Sequence, residues 1–143
     1  MPLSFCNLIV HVIFSTKDRQ PLIRQEIESR IHSYIKQCLH DLECQYLAIN
    51  GVENHIHILF SQNPNRSIAE IIKNIKGNSS HWINQSNFIL TKFAWQVGYA
   101  AFSVSESHMK RVIEYVCNQK ENHKKLSFKE EWDGFLNLNN MKL

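Results

Sequence analysis

Two histidines, His55 and His57, stand two apart in the stretch NHIHILF (residues 54–60). Successive side chains of a β-strand point to opposite faces, so on a strand these two imidazoles share one face. Ile56, Ile58 and Phe60 then share the other and can bury against helices. Ring nitrogens on an otherwise apolar strand need partners. Two readings follow, a pair of metal ligands or two solvent-facing histidines on the open side of a half-solvated sheet. A second pair, Tyr115 and Gln119, is spaced by four. On a helix that spacing makes them neighbours, about 5–6 Å apart at Cβ. A tyrosine hydroxyl beside an amide oxygen reads by itself as an exposed or half-buried, wetted group; two imidazoles on the facing sheet give the pair a second reason to be there.

The elements that must position these residues are legible from periodicity. Residues 5–15 (FCNLIVHVIFS) are apolar on both faces, with Leu8, Val10, Val12 and Phe14 on one and Asn7, Ile9, His11 and Ile13 on the other. That pattern predicts an interior strand, with His11 looking across at the histidine pair. Pro21 suits a helix's first turn, and Ile23, Ile27, Ile31, Ile35 and Leu39 recur at helical spacing, predicting a helix over 21–39. Residues 43–50 predict a second strand, turning at Asn50-Gly51 into the histidine strand as an antiparallel pair. Ser67 with Glu70 has capping-box spacing ahead of a helix buried through Ile68, Ile71, Ile72, Ile75 and Ile83. A last strand is expected over 93–105, interrupted at Gly98, and a third helix over 106–122 with Ser105 as its cap. The tail, 127–143, keeps Phe128, Trp132, Phe135, Leu136 and Leu138, which predicts packing on the body or on a second subunit.

The order β-α-β-β-α-β-α begins as a split βαβ unit. The predicted class is therefore α+β, ferredoxin-like: an antiparallel sheet with two helices on one face and the tyrosine-bearing helix on the other. At 143 residues, 43% hydrophobic and 20% charged, the chain suits one domain over 1–143. No run is long enough to span a membrane and the amino terminus lacks a signal-peptide pattern, so a cytoplasmic protein is expected. Cys6, Cys38, Cys44 and Cys117 lack metal-site spacing and read as reduced core residues. A net charge of +3 permits a nucleic-acid partner without demanding one.

Four blocks in this order resemble a known family: HVIFSTKDRQP (11–21), NHIH (54–57), WQVGYAAFSVS (95–105) and YVCNQ (115–119). The chain resembles, over nearly its whole length, the small single-tyrosine HUH transposases of minimal bacterial insertion sequences (IS200-like transposases). The resemblance implies that His55 and His57 hold a divalent metal with Gln119 as third ligand; two ring nitrogens and an amide oxygen in a phosphate-bearing site fit Mg²⁺ or Mn²⁺, and imidazole also suits Zn²⁺. The resemblance also implies that Tyr115 is the nucleophile, and it places Glu53 near the metal in some relatives. The implied activity is nicking and rejoining of single-stranded DNA through a covalent 5′-phosphotyrosine. The implied partners are single-stranded or hairpin DNA and a second copy of the chain, as a homodimer. Lys17, Arg19, Lys73, Lys76 and Arg111 are the candidate phosphate contacts. A related branch, the transposases associated with repetitive extragenic palindromes, keeps the same residues. Two rivals come from other classes. One is a non-catalytic or domesticated ferredoxin-like nucleic-acid-binding module using its sheet face. The other is a zinc-stabilised dimer in which Cys44 joins His55 and His57.

Overall fold

The computed structural model describes residues 5–138. Strand β1 (Ile9–Ser15) is buried at every position. It can be, because it lies between two strands and under helices on both sides, which its two apolar faces require. It pairs antiparallel with β3 (His55–Ser61) on one side and with β4 (Ala100–Val104) on the other. β2 (Gln45–Val52) pairs with β3, giving the order β2-β3-β1-β4 with every neighbour antiparallel. This is the split βαβ, ferredoxin-like sheet expected from the sequence.

Helices α1 (Gln25–Asp41) and α2 (Ile68–Gln85) cover one face. Val10, Val12, Phe14, Ile56, Ile58 and Phe60 point into their apolar stripes, forming the main core with Ile31, Ile35, Leu39, Ile71 and Ile75. Ser67 caps α2 as its sequence predicts, its side chain accepting the Glu70 N–H at 3.1 Å. α1 starts later than the proline-first reading, at Gln25. Residues 21–24 are not helical, and the Ile23 N–H bonds the Glu53 carbonyl at 2.9 Å.

Helix α3 (Glu106–Cys117), the short α4 (Gln119–Asn122) and α5 (Phe128–Leu138) lie on the opposite face. The predicted single helix over 106–122 is thus broken at Asn118. The freed carbonyls find side-chain donors: Asn50 bonds the Cys117 carbonyl at 2.9 Å and Asn122 bonds that of Tyr115 at 3.1 Å. Ser105 is the residue before α3, but its hydroxyl contacts His108 Nδ1 at 2.6 Å and not a backbone N–H.

The expected strand over 93–105 is regular only from Ala100. Before it, Trp95 makes an isolated bridge to Thr16, and Gly98 takes a φ of 94°. That left-handed conformation ends the ladder, so the predicted interruption is a full break. Gly51 has a different reason to be glycine: a Cβ there would come within 2.3 Å of the His55 carbonyl oxygen. The turn that delivers the histidine strand therefore needs the missing side chain. All four cysteines are free, Cys38 and Cys44 buried, Cys6 and Cys117 exposed, so the core reading holds for two of them. No described helix is long and apolar enough to cross a membrane.

Candidate active site

Register sets the histidine face. Ile13 lies opposite His57 and Ser15 opposite His55, so His11, Ile13, His55, His57 and Leu59 share the side of the sheet away from α1 and α2. This face is not open. Val116 of α3 packs on Ile9, Ala48 and Leu59. Phe128 of α5, with Trp132, Phe135 and Leu136 beside it, packs on Ile13, Ala100 and Phe102. His55 and His57 are consequently 0% exposed, which excludes the solvent-facing reading. The described part of the tail, α5, packs on the chain's own body, over the histidines; residues 139–143 lie outside the described residues.

α3 brings Tyr115 to the same place, its ring centroid 5.9 Å from that of His57. Gln119, fully buried, enters from α4. The helix break has not separated the pair, because both reach one group, the carboxylate of Glu131. Glu131 Oε2 accepts from the Tyr115 hydroxyl and, at 3.2 Å, from Gln119 Nε2. Its Oε1 lies 2.9 Å from His57 Nε2, 3.2 Å from His55 Nε2 and 3.3 Å from His123 Nε2. Glu131 and His123 were not among the residues picked out from the sequence. Glu131 had a visible signal: it falls within the helical stripe of Phe128, Trp132 and Phe135, where a charge is out of place.

The hydrogen bonds assign the protons. His55 Nδ1 lies 2.8 Å from Asn54 Oδ1, an acceptor only, so Nδ1 carries the proton and Nε2 presents a lone pair. That lone pair faces a carboxylate oxygen and has no hydrogen-bond partner; Gln119 Oε1 is likewise buried and unpaired. Two orphaned buried acceptors are uncommon, and a cation would satisfy both. His55, His57 and Glu131 offer ligand atoms all within 4.8 Å of one another. The donor set of imidazole nitrogens with amide and carboxylate oxygens fits a divalent ion. His57 has a supporting partner, its Nδ1 lying 2.8 Å from Nε2 of His11, as the position of His11 on β1 led us to expect.

Burial lowers the pKa of His55 to about 4 and of His11 to about 3, and that of His57 also falls. For Glu131, burial opposes the charge, but the close approach of the His55 and His57 imidazoles and the bond from Tyr115 outweigh it and hold the carboxyl well below the usual range. Burial, then the bond to Glu131, pushes the Tyr115 hydroxyl well above an ordinary phenol. Unfolded histidines take up protons near pH ~6.5, so between there and pH ~4 the unfolded chain binds more protons than the folded one. The stability these neutral imidazoles contribute is complete above pH ~6.5 and is lost as pH falls, by several kcal/mol as an order of magnitude. Thermal melts of chelator-treated protein between pH 7 and 4 should fall steeply; a flat profile would contradict the buried neutral arrangement.

Other expected residues are placed differently. Cys44 lies in the core on the helix side, its Sγ 3.5 Å from the Asn63 N–H, so it cannot join the histidines. Glu53 is exposed at the rim of a cleft with Asn54, Lys120 and His123. Lys73 and Lys76 sit on α2, behind the sheet from the histidines. Lys76 Nζ ties the loop before β4, donating to the carbonyls of Gln96 at 2.6 Å and Gly98 at 2.8 Å. Lys17 and Arg19 follow β1, with the Arg19 guanidinium 5.0 Å from the Phe128 ring centre, and Arg111 is exposed on α3.

A family model described as "Transposase IS200 like" matches residues 4–119, a stretch that holds both histidines, Tyr115 and Gln119 but stops before α5. Among solved structures, a candidate transposase from Deinococcus radiodurans R1 is similar at a TM-score of 0.65 and 20% identity, over 81% of this chain and 93% of that one. The REP-associated tyrosine transposase bound to a REP hairpin gives a TM-score of 0.65 at 11% identity, over 88% of this chain and 74% of that one. At these identities the two structures speak for the fold. Among curated protein sequences none matches.

Proposed function

The chain belongs to the IS200-like transposase family, and from that premise we propose that it cuts and rejoins single-stranded DNA with Tyr115 as nucleophile. The observation that carries this reading is the meeting, inside one chain, of the Tyr115 hydroxyl with two orphaned acceptors, His55 Nε2 and Gln119 Oε1. His55, His57 and Gln119 would hold a divalent ion, Mg²⁺ or Mn²⁺, with Glu131 within reach of it. Once bound, such an ion polarises a non-bridging phosphate oxygen and offsets charge developing at phosphorus.

The chain's own part is nucleophile and orientation. The Tyr115 oxygen forms a bond to phosphorus as the bond to the 3′ oxygen breaks. The phenolic proton is lost on one side and a proton is gained by the departing 3′ hydroxyl on the other. The strand's 5′ phosphate stays on the tyrosine, the bond count at phosphorus is unchanged, and rejoining by a 3′ hydroxyl reverses the step without a nucleotide cofactor. His11 holds the His57 ring and Asn54 that of His55, leaving each ring one nitrogen to turn inward.

The DNA-binding module without chemistry is the second reading. It explains the fold and the mild basicity but leaves the two orphaned acceptors beside a tyrosine without a purpose. Incubating the protein and Mn²⁺ with end-labelled single-stranded DNA separates the two. A denaturant-resistant protein–DNA adduct supports strand transfer, and binding with no adduct across a library of strands would overturn it.

Substrate form gives a further expected result. One nucleophile set into a cleft reaches bases that can splay out, so single strands or hairpins should bind better than perfect duplex. Lys17, Arg19 and Arg111 are the phosphate contacts on this reading, while Lys73 and Lys76 face away. Affinity should fall with a log–log salt slope of about −0.7 per phosphate neutralised. Lys17→Ala and Arg111→Ala should each flatten that slope and Lys73→Ala leave it unchanged; fluorescence anisotropy across a salt series reads both. Pairing of two copies along edge strand β4 would cover its unpaired backbone groups, and sedimentation at micromolar concentration reads whether a dimer forms.

A further inference from the structure

We propose that α5 is a lid that holds the site shut, with the Glu131 carboxylate standing where the scissile phosphodiester must sit. The proposal rests on the strand-cleavage reading above and deepens it. A carboxylate is an anion with two acceptor oxygens, and the groups around this one are those a phosphodiester would need. The Tyr115 hydroxyl and Gln119 Nε2 meet Oε2, while His57 Nε2 and His123 Nε2 meet Oε1. His55 Nε2 completes the ring of contacts at 3.2 Å. The nucleophile is engaged with the wrong anion: its hydroxyl donates to the Glu131 carboxylate where a phosphodiester would have to lie.

Access points the same way. Tyr115 is half-buried, but His55, His57 and Gln119 are each 0% exposed and Glu131 only 3%, so no phosphodiester reaches the histidines while α5 is in place. Something must leave, and α5 is the element built to do so. β1, β3 and β4 are the sheet itself, whereas α5 follows a turn at 123–127 and is no part of the sheet. Its backbone approaches no other element extensively, and its hold comes from side chains, Phe128, Trp132, Phe135 and Leu136 over Ile13, Ala100 and Phe102. Elements held in this way belong to the low end of local stability. It also lies outside the stretch shared with the family, 4–119, which already contains the nucleophile and three candidate ligands. Opening then exchanges one anion for another at a polar site, leaving the tyrosine, amide and imidazole donors satisfied in both states.

The test uses full-length protein in two variants. Trp132→Ala with Phe135→Ala loosens the apolar hold of α5 without altering charge; Glu131→Gln keeps those side chains and removes the anion that ties α5 to the site. Strand affinity is measured in a Tyr115→Phe background with a 20-nucleotide single strand of mixed sequence, so that no chemistry contributes. Both variants should bind the strand about tenfold or more tightly, as expected when a closed state is relieved. Glu131→Gln should at the same time bind Mn²⁺ less tightly, read by titration without DNA. Hydrogen exchange of the unsubstituted protein should show α5 gaining exchange, and residues 55–61 keeping protection, when the strand is added. Unchanged or weaker strand binding in both variants, with the fold retained by circular dichroism, would overturn the lid. So would α5 remaining fully protected in the DNA complex. Tighter binding with no adduct from any form bearing Tyr115 would leave the lid standing and remove the cleavage reading. Adducts at wild-type rates with unchanged affinity would do the reverse.

Discussion

Tyr115→Phe should leave the protein folded, able to bind single-stranded DNA, and unable to become attached to it. The substitution removes one oxygen. The ring keeps its edge contacts with His57 and Phe135, at centroid distances of 5.9 and 5.5 Å. Glu131 Oε2 loses one donor but keeps Gln119 Nε2, so the stability cost is about 1 kcal/mol. Chemistry should fall on the order of 10⁴-fold or more, the scale seen when a nucleophile is removed from a working constellation. Three other tyrosines test the assignment. Tyr34 stacks on Trp82 at 4.5 Å on the helix side of the sheet, and Lys36 sits 4.6 Å from the ring centre of Tyr46. Tyr99 is the real decoy, since it is 37% exposed and shares a cleft with Arg19 and Trp132. Tyr99→Phe should therefore keep the adduct, and mass spectrometry should place it on the peptide carrying Tyr115. An adduct mapped to Tyr99 would transfer the nucleophile to the loop before β4.

What the amino-acid order reveals here is what depends on local periodicity. Alternation along 9–15 and 55–61 assigns both faces of the sheet, because a strand's two-residue repeat leaves no freedom once Ile56, Ile58 and Phe60 are buried. The resemblance selected His55, His57, Tyr115 and Gln119 from short motifs, and the fold brings all four to one point. What stayed hidden depends on backbone strain or on long-range packing. Gly98 reads as a bulge from the sequence, but its positive φ ends the strand outright. The break at Asn118 has no local mark, since it is stabilised by Asn50, which bonds the Cys117 carbonyl from 67 residues away. Full burial of the histidines was unreadable for a similar reason. It follows from α5, whose stripe was visible but whose docking face was not. Glu131 lies within a visible helical stripe, but only the packed structure shows five polar side chains turned towards it.

His57→Ala is the other change with a large expected effect, and the structure alters what it should do. An exposed ligand could be trimmed with the fold intact. His57 is 0% exposed, and its loss leaves His11 Nε2 without a close partner and takes from Glu131 Oε1 its shortest contact, both in a buried place. Each unsatisfied group costs about 1–3 kcal/mol, to which the space left by the ring adds. The alanine variant should thus melt many degrees lower as well as lose metal-dependent cleavage. Loss of activity alone would then be ambiguous. His57→Gln resolves it, because the amide roughly preserves volume and offers both a donor and an acceptor to His11 and Glu131, yet it is a poorer ligand for a divalent ion. This variant should recover most of the lost melting temperature and still bind Mn²⁺ at least about 100-fold more weakly, since altering even the group behind a ligand costs 10–100-fold. Isothermal titration with Mn²⁺, run beside the thermal melt, separates the two effects. If His57→Gln keeps both its Mn²⁺ affinity and its metal-dependent cleavage, the buried imidazole is a structural strut and the ion sits elsewhere.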